Sequence, residues 1–169
     1  TKSLRSTAIQ QIGTSGTGNH FVEWGELHIS DSENPLNLPM GDYLALLSHS
    51  GSRSVGFKIA GYYTELAMAQ MTNLEPAVKH LAWLPLDKEA GQEYWDAMQL
   101  AGKFASANHQ IIHERIGKAI ELQPIAAVEN HHNFAWNEKI FVNGVERDAI
   151  VHRKGATPAG KGVLGIIPG

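Results

Sequence analysis

The stretch Tyr43-Leu44-Ala45-Leu46-Leu47-Ser48-His49-Ser50-Gly51-Ser52-Arg53 changes abruptly from apolar to polar and glycine-containing. Its apolar half, residues 43–47, has the length and composition of a buried β-strand. The polar half predicts a loop, and residues 55–71 beyond it place apolar side chains at helical spacing. The stretch therefore predicts a strand, a loop and a helix in succession, and loops at such strand ends often gather ligands.

Further elements are predicted on both sides of this unit. Residues 6–20 are polar and rich in glycine, which predicts a loop, and residues 21–27 alternate as a strand does. Residues 73–86 contain two prolines and predict a linker. Apolar side chains then recur near helical spacing over residues 87–122, and Pro124 ends this long predicted helix.

The last third of the chain is typical of β structure. Residues 125–129 and 163–167 predict short strands. Residues 139–142 and 145–154 flank Asn143-Gly144, a strong signal for a tight hairpin turn. The whole pattern predicts an α+β fold, with mixed or antiparallel sheets flanked by helices that include one long helix.

Composition narrows the class of protein. A chain of 169 residues has the size of one ordinary domain, and 43% hydrophobic with 18% charged residues is typical of a soluble folded protein. The chain begins with Thr1 rather than Met, and its final apolar run meets a turn signal at Pro168. We therefore expect residues 1–169 to form a single domain that is truncated at both ends.

Charge, hydropathy and cysteine content restrict the partners. No apolar run approaches the roughly 20 residues that span a bilayer, so no membrane partner is expected. The absence of cysteine excludes disulfides and thiolate zinc sites, and a cytoplasmic location fits. A net charge of −3 gives no general attraction for nucleic acid, so RNA would have to be held by a few aimed side chains.

Three runs place histidine in loops of Gly, Ser and Asn: Gly16-Thr17-Gly18-Asn19-His20, Ser48-His49-Ser50-Gly51-Ser52-Arg53 and Asn130-His131-His132-Asn133. Such loops let the backbone approach a ligand closely, and imidazole is the side chain most often recruited to bind metals near neutral pH. If the three loops converge in space, they form a metal–phosphate site.

Basic side chains beside these loops admit two interpretations each. Arg53 stands at a helix start, where free amides and a bidentate guanidinium suit a phosphate, or it is a solvated residue beside an ordinary cap. The run ending in Lys154 forms a second phosphate contact or a solvated basic edge. His109 and His113 share one helix face and could bind a metal, although chance spacing explains such pairs more often.

Taken in order, these motifs resemble the RtcB family of RNA-splicing ligases. That family carries Gly-Asn-His-Phe-x-Glu, His-Ser/Thr-Gly-Ser-Arg, His-Asn, Arg-Lys-Gly-Ala and Ile-Pro-Gly. This chain has five matching motifs in the same order, spread over nearly its whole length: Gly18–Glu23, His49–Arg53, His132–Asn133, Arg153–Ala156 and Ile167–Gly169.

The resemblance implies a GTP- and Mn²⁺-dependent ligase that joins an RNA 3′-phosphate or 2′,3′-cyclic phosphate to a 5′-hydroxyl through a histidine–guanylate intermediate. Two manganese ions occupy the complete site, and His20, His49 and His132 are implied as metal ligands. Arg53 and Lys154 are implied to hold the RNA end, with Glu23 reading the guanine edge. The implied nucleotide-binding residues are Asn19, His20, Phe21, Val22, Glu23, His132, Asn133, Pro168 and Gly169.

The chain also departs from the family pattern. It lacks the family's Asp-x-Gly-Cys-Gly segment, which supplies a metal-bridging Cys, and its His-Gly-Ala-Gly-Arg segment, which supplies the nucleophilic histidine. We therefore expect the chain to be inactive alone, with no catalytic nucleophile of its own. Two other functions stay open: a metal-dependent phosphoesterase that activates water, and a non-catalytic relic that binds RNA ends.

Overall fold

The computed structural model describes residues 2–166, and the α+β class predicted from the sequence is confirmed. The elements in chain order are α1 (Lys2–Gln11), β1 (Phe21–Ile29), β2 (Gly41–His49), α2 (Arg53–Gln70), a 3₁₀ helix (Pro76–Leu81), α3 (Glu89–Ala119), β3 (Asn133–Val142) and β4 (Val145–Lys154). The predicted strand–loop–helix succession is present as β2 and α2, and α3 is the predicted long helix, with 31 residues.

The described residues divide into two compact units. The first unit contains the chain up to His28 together with Gly41–Gln123, and the second contains Ile29–Met40 together with the chain from Pro124 onward. Helices α1, α2 and α3 belong to the first unit, in which β1 pairs with β2. Strands β3 and β4 form the separate sheet of the second unit.

The core of the first unit lies between α2 and α3. Val55 and Ile59 of α2 are buried against Ala101 of α3, because apolar residues recur on one face of each helix. Leu4 and Ala8 of α1 pack on the same cluster. The loop predicted for residues 6–20 is therefore wrong over 6–11, where contacts with this core stabilise a helix that its polar composition does not suggest.

The hairpin of the second unit is formed by β3 and β4. The strands pair antiparallel, with register from Asn133 opposite Lys154 to Val142 opposite Val145. At the turn, Asn143 has φ 52° and Gly144 has φ 78°, and positive φ at both positions is what a type I′ turn requires. The predicted hairpin is confirmed, and β3 begins earlier than predicted.

The other two predicted strands are wrong where the structure describes them. Neither residues 125–129 nor residues 163–166 form a strand. A strand needs a neighbour to complete its hydrogen bonds, and each sheet described between residues 2 and 166 has only two strands, already paired with each other. Ile125 is 72% exposed, so apolar composition alone did not lead to burial.

Over the same described residues, none of the helices has the length and hydropathy that a bilayer span requires.

Candidate functional site

Two of the predicted histidine loops meet in the first unit. His20 lies just before β1 and His49 is the last residue of β2, and these two strands are neighbours in one sheet. The two imidazole rings meet edge to face, with centroids 5.7 Å apart. Phe21 also contacts His49, at a centroid distance of 5.5 Å. Strand pairing thus brings together two side chains that are distant in sequence.

Arg53 contacts the glycine-rich loop that connects α1 to β1, residues 12–20, which ends in His20. Its Nε donates a hydrogen bond to Thr14 Oγ1 at 3.2 Å, and its guanidinium lies against Gly16. A Cβ at Gly16 would overlap this guanidinium and lie 2.7 Å from His20 Nδ1. Gly16 also has φ 117°, which L side chains rarely adopt, so glycine allows the loop to pass beside both groups.

The interpretation of Arg53 as a solvated residue beside an ordinary cap does not describe this arrangement. The Ser52 side chain forms no capping hydrogen bond, and Arg53 is partly buried. The amide of Ser54 is already used, because it donates to Gln11 Oε1 at 2.9 Å. One amide of the helix start that was expected to hold an anion is therefore occupied, and the role of the Arg53 side chain toward an anion stays a prediction.

The electrostatics of the site favour a neutral imidazole at His20. Burial lowers the pKa of His20 below 6.5, and the positive charges of His49, Arg53 and His109 lower it further. Neutral imidazole is the form that binds a metal ion. His20 Nδ1 is also buried, with no hydrogen-bond partner among the described residues. Buried polar atoms nearly always have partners, so this nitrogen is available to a ligand, and the nearby Ser15 Oγ is buried without a partner in the same way.

Helix α3 contributes Asn108, a residue that the sequence interpretation missed. Among residues 2–166, Asn108 is the one buried polar residue, at 0% exposure. Its Oδ1 accepts hydrogen bonds from the amides of Gly13 and Thr14 at 2.7 and 3.2 Å. The available signal was its position, since it interrupts the buried series Ala101, Ala105 and Ile112 on one face of α3.

The helical pair His109 and His113 also faces this region. His113 Nε2 lies 2.8 Å and His109 Nδ1 lies 3.4 Å from Ser48 Oγ, next to His49. Over residues 2–166, no group of three or more His, Cys, Asp or Glu side chains is arranged to hold a metal ion. The first unit therefore offers pairs of imidazoles rather than a complete ligand set.

The second unit brings together three other predicted site residues at the open end of its hairpin. Asn133 pairs with Lys154 across β3 and β4, and Asn133 Oδ1 accepts a hydrogen bond from the Gly155 amide at 2.8 Å. The carbonyl of His132 accepts from the Ala156 amide at 3.0 Å. Since His132 belongs to the second unit, its place beside His20 and His49 stays a prediction.

The adjacent cation Arg153 is engaged elsewhere. Its Nη1 and Nη2 donate to the two carboxylate oxygens of Glu138 at 2.5 and 2.7 Å, and its Cζ lies 5.1 Å from the centre of the Trp136 ring. Successive side chains of a strand point to opposite faces, so Lys154 faces away from this pair and is exposed. Of the two cations, Lys154 is the one available to a ligand.

The remaining predicted nucleotide contacts lie at the start of β1 or beyond the described residues. Asn19 and Glu23 precede and follow His20 in the sequence and are exposed, and Val22 is partly buried. Their role toward a nucleotide stays a prediction. Pro168 and Gly169 lie outside the described residues.

Comparison with known proteins identifies similar sequences. The family model described as tRNA-splicing ligase RtcB matches residues 1–169. The tRNA-splicing ligase RtcB of Methanococcus maripaludis is 32% identical over 168 residues, which is 92% of this chain and 35% of that protein. RNA-splicing ligase RtcB homolog 1 of Entamoeba dispar is 32% identical, covering 94% of this chain and 32% of its own length. RNA-splicing ligase RtcB of Escherichia coli is 30% identical, and the match covers 98% of this chain and 40% of that protein. The chain thus spans about a third of the length of these relatives.

Proposed function

Because the chain belongs to the RtcB family of tRNA-splicing ligases, we propose that it is a section of an RNA ligase. The proposed reaction joins an RNA 3′-phosphate or 2′,3′-cyclic phosphate to a 5′-hydroxyl, with GTP and Mn²⁺ as cofactors. The names of the relatives support ligation of RNA, and the end chemistry follows from the motif resemblance. Since the chain spans about a third of these relatives, the activity is proposed for the whole protein that contains it.

One observation carries the proposal. His20 comes from one loop and His49 and Arg53 flank another, and they meet within the first unit: the His49 ring lies against His20, and Gly16 leaves room for His20 and Arg53. Neither packing nor capping requires two imidazoles and a guanidinium at one place. A metal ion beside a phosphate gives each of these groups a role, because imidazole ligates the cation and guanidinium binds the anion.

The residues of the first unit fit part of a metal site. His20 is held neutral, its Nδ1 has no partner among the described residues, and the His49 ring lies beside it. These two imidazoles would hold a divalent cation, with His132 as the third proposed ligand. When bound, the cation would supply positive charge that polarises a phosphoryl oxygen.

The other proposed roles belong to charged side chains near the loops. Arg53 would bind the terminal phosphate of the RNA, and Lys154 would bind a second phosphate oxygen as a point charge. Glu23 would accept hydrogen bonds from the guanine edge, and adenine would leave that carboxylate unpaired. The side chains Asn19, Phe21, Val22 and Asn133, with Pro168 and Gly169, would complete the guanylate contacts.

RNA-end binding tests this function with the chain as it exists. A short RNA ending in a 3′-phosphate should bind more tightly in the presence of Mn²⁺ than the same RNA ending in a 3′-hydroxyl. Arg53→Ala should abolish the difference, whereas Arg5→Ala, which removes an exposed arginine from α1, should preserve it. Equal affinity for the two RNAs in the unaltered chain would contradict the proposed role.

Labelled GTP tests whether the chain alone is inactive, and phosphate release and RNA-end binding separate the ligase section from the two other functions. With Mn²⁺ and GTP, the chain alone should acquire no covalent label, because the family's nucleophilic segment is absent from its sequence. A stable phosphoramidate would contradict that assignment. Release of the RNA phosphate without GTP would instead identify a phosphoesterase, and end binding that ignores both GTP and Mn²⁺ would identify a relic.

A further inference from the structure

The fully buried side chain of Asn108 is hydrogen-bonded to two loops at once. Toward the glycine-rich loop, its Oδ1 accepts from the Gly13 and Thr14 amides and its Nδ2 donates to the Thr14 carbonyl at 3.0 Å. Toward the loop after β2, Nδ2 donates to Ser50 Oγ at 3.1 Å and to the Gly51 carbonyl at 3.5 Å. One amide group on a rigid helix therefore connects both loops.

Each loop continues directly into a proposed site residue. The backbone amide and carbonyl of Thr14 are both hydrogen-bonded to Asn108, and the Thr14 Oγ1 accepts a hydrogen bond from Arg53 Nε. Ser50 also donates to the Ser15 carbonyl at 2.6 Å, so the two loops are bonded to each other as well as to α3. Ser50 follows His49 in the chain, and the glycine-rich loop leads into His20.

We propose that Asn108 is a positioning residue that sets the distance between the His20 and His49 imidazoles and the direction of the Arg53 guanidinium. It contacts no substrate itself and acts through Thr14 and Ser50. A buried amide whose donor and acceptor are both satisfied makes the groups that it bonds more rigid, and Asn108 bonds both loops in this way. The inference rests on the proposed function only where it is tested by metal binding; the geometry of the two rings is tested independently of it.

Three variants and a matched control separate positioning from stability. Asn108→Asp keeps the acceptor for the Gly13 and Thr14 amides and removes the donor to Ser50 Oγ and to the Thr14 and Gly51 carbonyls. Ser50→Ala removes the acceptor for Asn108 Nδ2 and the donor to the Ser15 carbonyl while leaving Asn108 in place, whereas Ser50→Thr retains the hydroxyl. Ile112→Val is the control, because it trims a buried residue one turn farther along the same helix without touching either loop contact.

Two readouts are measured for every variant beside the melting temperature. The first is the set of imidazole ¹H and ¹⁵N resonances of His20 and His49 without metal, which report the geometry of the ring pair. The second is the dissociation constant for Mn²⁺ alone. Removing a group that fixes the orientation of a metal ligand without touching the metal typically weakens metal binding by roughly tenfold or more.

We expect Asn108→Asp and Ser50→Ala to shift both sets of imidazole resonances and to weaken Mn²⁺ binding about tenfold. Ser50→Thr should restore both, and Ile112→Val should lower the melting temperature while leaving both unchanged. Resonance shifts in Ser50→Ala no larger than those in Ile112→Val would overturn the inference, even if Asn108→Asp fails to fold. Absence of Mn²⁺ binding by the unaltered chain would overturn the manganese part of the proposed function, and the resonances would still decide the role of Asn108.

Discussion

The imidazole of His20 meets the imidazole of His49 edge to face at an interplanar angle of 81°. The pairing of β1 with β2 fixes this contact, because His20 directly precedes β1 and His49 is the last residue of β2. The two imidazoles, both potential metal ligands, are distant in sequence and are brought together by the pairing of the strands.

Replacing His49 should remove metal binding and leave the fold. We expect His49→Ala to weaken Mn²⁺ binding by at least tenfold, because a ligand is lost while little core area changes. Isothermal titration with Mn²⁺ and circular dichroism measure the two effects. The control is His80→Ala, which alters an exposed histidine of the 3₁₀ helix and should change neither quantity. Equal Mn²⁺ affinity in both variants would remove His49 from the site.

His20 should titrate below its usual range. Burial lowers its pKa, and the charges of His49, Arg53 and His109 add to the effect. Below pH 6.5 the unfolded chain then binds more protons at this residue than the folded chain does, so the free energy of unfolding falls as the pH falls. The loss is complete once the pH is below the lowered pKa.

An NMR titration of the His20 ring checks this prediction. Arg53→Met should move the pKa of His20 back toward 6.5, because one positive charge is removed. Arg5→Met removes an exposed charge of α1 and should leave the titration unchanged. A His20 pKa at or above 6.5 in the unaltered chain would show that the ring is neither buried nor surrounded by these charges.

Gly16 and Gly18 should respond differently to alanine although both have positive φ. At Gly18 a Cβ meets open space, so Gly18→Ala should cost only the backbone strain, about 1–2 kcal/mol of unfolding free energy. At Gly16 the Cβ also overlaps the Arg53 guanidinium, so Gly16→Ala should cost more and should displace Arg53. Chemical denaturation and binding of the 3′-phosphate RNA measure the two effects. Equal losses in both variants would mean that Arg53 does not lie against Gly16.

The ion pair of the second unit should make its hairpin sensitive to acid. The hydrogen bonds from Arg153 lower the pKa of Glu138, and the charge of Arg153 lowers it further, against the opposing effect of burial. A carboxylate with a lowered pKa stabilises the folded state at neutral pH. That stabilisation is lost as the pH falls through the folded-state pKa.

Amide hydrogen exchange in β3 and β4 measures this sensitivity. Protection should fall between about pH 6 and about pH 3, and Glu138→Gln should lower protection at the upper pH and reduce its pH dependence. Glu146→Gln should have a smaller effect, because the Glu146 pair with Lys139 is more exposed, with side chains 48% and 66% accessible. An identical pH dependence in the two variants would rule out a special role for the Glu138 pair.

Glu23→Gln should weaken binding of GTP far more than binding of ATP. The carboxylate is proposed to accept from the guanine N1–H and N2–H₂, and the amide replaces one acceptor with a donor. Competition binding of the two nucleotides to the chain in the presence of Mn²⁺ gives the ratio. Similar losses for GTP and ATP would indicate that Glu23 does not read the base.

Periodic sequence predicted most of the regular structure. The apolar run 43–47, the helical spacing of α3 and the Asn143-Gly144 turn each contain a local signal strong enough to predict an element. Helix α1 has no such signal, because its residues are mostly polar and its stability comes from packing on α2. Ile125 shows the converse, since an apolar run without a pairing partner stays exposed.

Some residues of the candidate site could likewise be predicted from the sequence, and others could not. His20, His49 and Arg53 could be selected from the sequence because unusual residue types stand beside glycine. The use of the Ser54 amide by Gln11 could not be predicted, because it depends on the position of α1. Asn108 was missed for a related reason, as a single asparagine in an apolar series acquires meaning only when both loops are seen to reach it.

Pulsed electron paramagnetic resonance of the Mn²⁺-loaded chain tests the proposed metal site most directly, because it detects the nitrogen atoms bound to the ion. We predict imidazole ¹⁴N couplings in the unaltered chain. Each of the single variants His20→Ala, His49→Ala and His132→Ala should lose the coupling of one nitrogen, and His80→Ala should lose none. A bound ion with no ¹⁴N coupling, or a coupling that survives the first three substitutions, would contradict a site built from these histidines.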